Sequence, residues 1–181
     1  MHSLEGGMIT TGDAELARTL RLLRNQGMER QYANEIVGAN MRLTDVAAAI
    51  GRVQLGKLVG WNAQRRANAE VLSAGIKSVV TPPVAEQATH VFHQYTIRAG
   101  NRYELRDSLQ ERGIGTGLYY PTPIHELLPY RPGSRDGNRE WDLPETMRAA
   151  AEVLSLPVHP SLNEDHLARI VDAVNELGVA P

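Results

Sequence analysis

The most constraining feature of this chain lies between Gly38 and Leu58, where an irregular polar loop turns abruptly into a helix. Thr44 is placed to cap that helix, and Asp45 falls in its first turn, where a carboxylate suits the exposed N–H groups and the helix dipole. Leu43, Val46, Ala47, Ile50, Val53, Leu58 and Trp61 recur at steps of mostly three and four, which predicts one buried stripe. The helix is expected to run past Trp61 towards Leu72, although Gly51, Gly56 and Gly60 weaken it unless another backbone packs closely there. Just ahead of it, Asn40 and Arg42 put an amide and a guanidinium on a glycine-led turn, and such groups at a helix N-terminus can hold phosphate or another anion. Periodicity alone favours the plainer reading, a capped core helix with an exposed arginine.

The flanks supply short alternating elements. Met8–Thr10 reads as the end of a strand, and Asp13 caps a helix with Leu16, Leu20 and Leu23 turned inward and a stop at Gly27. Residues 28–41 read as a polar loop, and residues 73–89, with Pro82 and Pro83, as an extended connector. Val91–Arg98 is a strand by its β-branched and aromatic content. Asn101 with Glu104 resembles a capping arrangement for a helix carrying Leu105 and Leu109 as far as Gly113. Ile114–Tyr120 is a second strand, and residues 121–141 form a long proline-rich loop of the kind that is often functional. Asp142, Pro144 and Glu145 open another helix, Leu154–Val158 is a short strand, and Asn163 caps a last helix striped by Leu167, Ile170, Val171, Val174 and Leu177. Strands interleaved with helices imply an α/β fold, with a compact domain from about residue 75 onward.

Several chemistries are excluded by what is lacking. Cysteine is absent, which removes disulfides, thiolate nucleophiles and cysteine-bound metal. No G-x-S-x-G, G-x-G-x-x-G or P-loop motif occurs. His90 and His93 stand three apart, an odd spacing that sends them to opposite faces of a strand, so no metal site is expected. His159 reads as structural and His166 as surface. A net charge of −2 gives no general attraction to nucleic acid, and no apolar run is long enough to span a membrane. The first residues lack the basic and apolar regions of a secretion signal, so a cytoplasmic location is expected. Only two lysines occur, Lys57 and Lys77, and both read as solvated surface.

The ordered series Gly38, Asn40, Arg42, Leu43, Thr44, Asp45, Ala48, Ala49, Ile50, Gly51, Gln54, Leu55 resembles a motif of the DegT/DnrJ/EryC1/StrS sugar aminotransferases. Glu5–Thr11 resembles the strand after that family's cofactor lysine, and His90–Tyr95 its H-x-[FY]-H-x-[FY] strand. Gly113–Thr116 with Tyr120, Pro121, Pro123, Ile124 and His125 resembles its G-I-x-T…Y-P-x-P-[LI]-H segment, and Leu154–Pro157 with Pro160 its closing L-S-L-P-x-x-P.

The resemblance implies the C-terminal part of a fold-type-I aminotransferase dependent on pyridoxal phosphate (PLP). Residues 1–74 would form the end of the large domain with a dimer-crossing loop and connecting helix, and residues 75–181 the small α/β domain. It implies amino transfer, usually from glutamate, to a keto-sugar nucleotide, on a cofactor held as a Schiff base by a lysine. That lysine's motif position falls just before Met1, so neither a covalent PLP link nor a catalytic residue is expected in this chain, which is expected to be inactive alone. Asn40 would reach the cofactor phosphate of the neighbouring subunit of a homodimer, and Arg42, His125 and Tyr120 would approach the nucleotide-sugar substrate. Tyr119 stands where relatives often have histidine. Without the resemblance, His125 reads as a loop histidine and Tyr120 as a half-buried strand aromatic. A separate chain carrying the N-terminal half is the implied partner; the alternative is a non-catalytic interaction or remnant protein with the same partial fold.

Overall fold

The computed structural model describes residues 3–135, 137 and 140–181. The chain divides into two compact units between Val59 and Gly60, inside its longest helix.

The first unit is built on α1, Ala14–Arg24. Asp13 caps it by accepting from the N–H groups of Glu15 and Leu16 at 2.9 and 3.1 Å. The helix ends in a tight reversal in which the Gly27 N–H donates to the Leu22 carbonyl at 2.7 Å. Gly27 has φ +76°, and a Cβ there would lie 1.7 Å from the Ile36 carbonyl oxygen, so only glycine fits. A small antiparallel pair follows, β1 (Met28–Arg30) with β2 (Ala33–Asn34), within the stretch expected to be a loop. Residues 8–10, expected to be a strand, are irregular, because none of the described segments pairs with them.

Helix α2, Asp45–Gly75, starts as expected, with Thr44 Oγ1 accepting from the Ala47 N–H at 3.3 Å. It runs beyond the expected length despite three internal glycines. The expected stripe is not buried: Ala47 is, but Val46 and Val53 are 67% and 61% exposed. Likewise Leu22, not Leu16 or Leu23, is the buried residue of α1. Among the described residues, the first unit has only the two-stranded β1–β2 sheet, which is not broad enough to cover these apolar faces.

The second unit holds nearly all of the core. Strand β3 (Tyr95–Arg98) pairs antiparallel with β4 (Val153–Leu156), matching Tyr95 with Leu156 and Ile97 with Leu154. Alternation puts Tyr95 and Ile97 inside, while Thr96 and Arg98 face the other way. Single bridges extend this sheet on either side, Val80 with Arg98 and Gly117 with Ser155. The expected strand 114–120 is thus reduced to one bridge. Helices α3 (Arg102–Glu111) and α5 (Glu164–Leu177) pack together, and Leu105, Leu109, Leu167, Ile170 and Val174 join Leu72, Ile76, Tyr95, Ile97 and Leu154 in one core. Helix α4 (Pro144–Glu152) leads directly into β4. Asn163 and His166 form a reciprocal cap on α5. Asn101 does not cap α3; its amide instead donates to the Leu177 carbonyl and accepts from the Val179 N–H, tying down the C-terminus.

Candidate functional site

Asn40 and Arg42 are positioned by the end of α1. The last turn of that helix leaves carbonyls without intrahelical partners, and the segment after Gly38 takes them. The Ala39 N–H donates to the Leu23 carbonyl at 2.9 Å, and the Met41 N–H to the Arg24 carbonyl at 2.8 Å. This requires backbones in contact: a Cβ on Gly38 would lie 2.4 Å from the Gly27 nitrogen. The motif's leading glycine is therefore a close-approach residue. Both side chains emerge exposed, and Arg42 Nε donates to Asn40 Oδ1 at 3.0 Å.

Arg42 also lines a cavity of about 380 Å³ with Arg18, Arg21, Arg24, Asn25 and Glu29 among its walls. Arg18 is committed to Glu35 and Glu29, and the hydrogen bond it donates to Glu35 is the main reason its guanidinium pKa rises. Arg21, Arg24 and Arg42 leave an anion-seeking surface. The α1 arginines escaped attention in the sequence, although their spacing of three along a helix was the available signal.

The other two predicted residues lie in the second unit. Tyr120 is 84% exposed, adopts φ +55°, and lines a mainly apolar cavity of about 790 Å³ with Tyr119, Pro121, Pro123, Ile124 and Leu127. The Tyr119 ring lies against Gly117, where a Cβ would come within 2.3 Å of Cε2. His125 sits in a turn of 3₁₀ helix, Ile124–Glu126, with its imidazole largely covered and Nε2 3.8 Å from a Glu126 carboxylate oxygen. It does not line the cavity that Tyr120 opens onto.

The donors at Asn40 and Arg42 fit the phosphate end of PLP. Lys57 and Lys77, which could meet its aldehyde end, are exposed and line neither of these two cavities. No described helix is long and apolar enough to cross a membrane, and no described cluster of His, Asp or Glu is arranged to hold a metal.

A long helix feeding a small α/β domain, with a polar loop at its head, is the C-terminal part of a fold-type-I PLP aminotransferase. The sequence model of the DegT/DnrJ/EryC1/StrS aminotransferase family matches residues 1–175, and the chain belongs to that family. It is 42% identical over 175 residues to dTDP-3-amino-3,4,6-trideoxy-alpha-D-glucose transaminase of Streptomyces venezuelae, covering 95% of this chain and 45% of that one. It is 41% identical over 177 residues to a pleiotropic regulatory protein of Geobacillus stearothermophilus, covering 95% and 47%. Among solved structures, S. venezuelae DesV in complex with a ketimine intermediate superposes with a TM-score of 0.82 at 40% identity, over 92% of this chain and 45% of that one. The chain thus spans somewhat under half the length of the relatives it matches.

Proposed function

We propose that this chain acts as the C-terminal part of a PLP-dependent nucleotide-sugar aminotransferase and needs the counterpart of the rest of its relatives' length to do so. The observation that carries this reading is the pair Asn40 and Arg42, braced on the α1 carbonyls and presented outward in a chain whose own lysines lie outside every cavity described. When bound, PLP supplies the electron sink for amino transfer. This chain's residues bind and orient: Asn40 donates to the cofactor phosphate of a neighbouring subunit, and Arg42 neutralises an anionic group such as a substrate diphosphate. Tyr120 and His125 lie on the loop that would approach the sugar. The division of labour is a large-domain end in residues 1–74 and a small domain in residues 75–181, assembled as a homodimer in the cytoplasm.

A second reading is a binding or regulatory protein with the same partial fold. The exposed apolar residues of α2 favour it, as does the name of the G. stearothermophilus relative.

One experiment separates the two. The chain is incubated with PLP alone, then co-expressed with the lysine-bearing N-terminal segment of a family member. The first reading expects no lysine-bound cofactor absorbance from the chain alone, and both absorbance and transamination after co-expression. A stoichiometric band from the chain alone, lost on Lys57→Ala or Lys77→Ala, overturns the assignment of roles. A stable co-complex without transamination supports the second reading.

A further inference from the structure

The second unit contains a groove that the aminotransferase reading does not use. It is a cavity of about 590 Å³ running between the segment 113–117, the segment after β4 and the first half of α5. Five of its lining residues are basic or imidazole-bearing: Arg65, Arg169, His93, His159 and His166. Acidic residues are absent from its lining, in a chain whose net charge is −2. Such a local excess of donors without a carboxylate counterpart is what anion recognition requires.

The donors are anchored rather than loose. Arg65 Nη1 donates to the carbonyls of Phe92 and His93 at 3.2 and 3.3 Å, so its guanidinium is held at the rim with its other N–H groups remaining. Arg169 Nη2 donates to the Arg112 carbonyl at 3.0 Å, again leaving further donors. His166 Nδ1 accepts from the Asn163 N–H in the α5 cap, so that nitrogen is unprotonated and Nε2–H is the free donor. The floor is apolar, formed by Ile114, Leu156 and Ile170. Room is left beside Gly115, where an added Cβ would meet no atom within 4 Å.

We propose that this groove binds a small phosphate monoester, its phosphate taken by Arg65, Arg169 and the imidazoles and its organic group laid on the apolar floor. Gln94, Gly117, Tyr119 and Ser155 also line the cavity onto which Tyr120 opens, but Arg65, His93, His159, His166 and Arg169 line this groove and not that cavity, and the aminotransferase reading gives none of these five a role.

The test uses the whole chain with phenyl phosphate as probe, read by the imidazole proton resonances and by calorimetric titration. Saturable binding is expected, with signals of His93, His159 and His166 shifting while those of His90 and His125 stay in place. Arg169→Gln and Gly115→Leu should each weaken binding about tenfold or more, the first by removing charge and the second by filling space. Gly115→Ala should bind as the parent does, and reports any folding effect of changing that glycine. The absence of saturable binding in the parent chain overturns the proposal. So does binding undiminished in either Arg169→Gln or a folded Gly115→Leu.

Discussion

Arg42 Nε donates to Asn40 Oδ1 at 3.0 Å, two residues apart on the segment braced against α1. An Nε–H can only donate, so the Asn40 oxygen must face the arginine, and the Asn40 NH₂ group is turned away from it as a donor. If that NH₂ meets a phosphate in the assembled enzyme, Asn40→Ala should weaken cofactor retention by about 1.5–3 kcal/mol, the range for a charge-assisted hydrogen bond. Arg42→Ala should mainly raise KM for the sugar nucleotide, with a smaller loss of cofactor because it frees the Asn40 rotamer. The double substitution should then fall short of additivity by roughly 0.5 kcal/mol or more. Dialysis of the co-expressed complex against buffer, with cofactor absorbance followed, measures all three. Full additivity would mean that the arginine does not orient the amide.

Glycines in this chain should divide by sign. Gly38→Ala forces a methyl to within 2.4 Å of the Gly27 nitrogen and 2.9 Å of the Leu23 oxygen, both backbone atoms that cannot swing aside. A loss of about 1–3 kcal/mol is expected, as for overpacking, with faster hydrogen exchange at the Ala39 and Met41 amides. Gly56→Ala, inside α2 with nothing within 4 Å of the added carbon, should gain about 0.5–1 kcal/mol from helix propensity. Thermal melts of the two variants, shifted in opposite directions, are the check.

Caps at Asp13, Thr44 and Asn163 were legible in the sequence because each is a local bargain between one side chain and nearby N–H groups. The core helix α5 was legible because its stripe is met by a sheet within the same unit. The stripe on α2 follows the same rule of spacing, yet Val46 and Val53 stay exposed, since periodicity reports that a face wants burial and not what buries it. Asn101 had the look of a cap because Asx–x–x–Glu is a local pattern; the Leu177 carbonyl and Val179 N–H, far away in sequence, won its amide. Asn40 and Arg42 stand together on the glycine-led turn the sequence marks, with their side chains hydrogen-bonded to each other, while the binding role expected of them came from the family resemblance and not from the turn. The groove lined by Arg65, His93, His159 and Arg169 was not, because its residues come from four separate segments.

Tyr95 gives the second unit a defined response to alkali. Its ring is fully buried, and its hydroxyl lies 2.8 Å from Ser73 Oγ. Burial pushes the phenol pKa up, partly offset by hydrogen bonds with Ser73 and Thr81. The folded state thus favours the neutral phenol more than the unfolded chain does. That contribution is fully present below the ordinary phenol value of about 10 and is lost as pH rises through the raised folded value. Tyr95→Phe should lower stability by about 1 kcal/mol at neutral pH and flatten the decline above pH ~10. Denaturant midpoints measured across that range would show the two curves converging; parallel curves would assign the alkaline loss to another group.

The two units should also behave differently in solution. Among the described residues, the buried hydrophobics of the first unit are Leu22 and Ala47, whereas the core cluster of the second runs from Ala69 to Val174. Amides of residues 3–59 should therefore exchange faster than those of α3, β4 and α5, which open only with the unit as a whole. On α2, Val53 and Val59 are 61% and 81% exposed, and Met8, Val37 and Met41 add further apolar surface to the same unit. Exposed apolar area of that extent drives association, so the chain by itself should form concentration-dependent oligomers in sedimentation velocity. Val53→Glu with Val59→Glu should suppress this without lowering the melting point, because neither side chain belongs to the core. In the co-expressed complex the same pair of substitutions should instead weaken capture of the N-terminal segment, since a carboxylate on a face meant for burial must be desolvated. Monodisperse parent chain, together with undiminished capture by the double variant, would show that this face of α2 is ordinary solvent-exposed surface and that the N-terminal segment docks elsewhere.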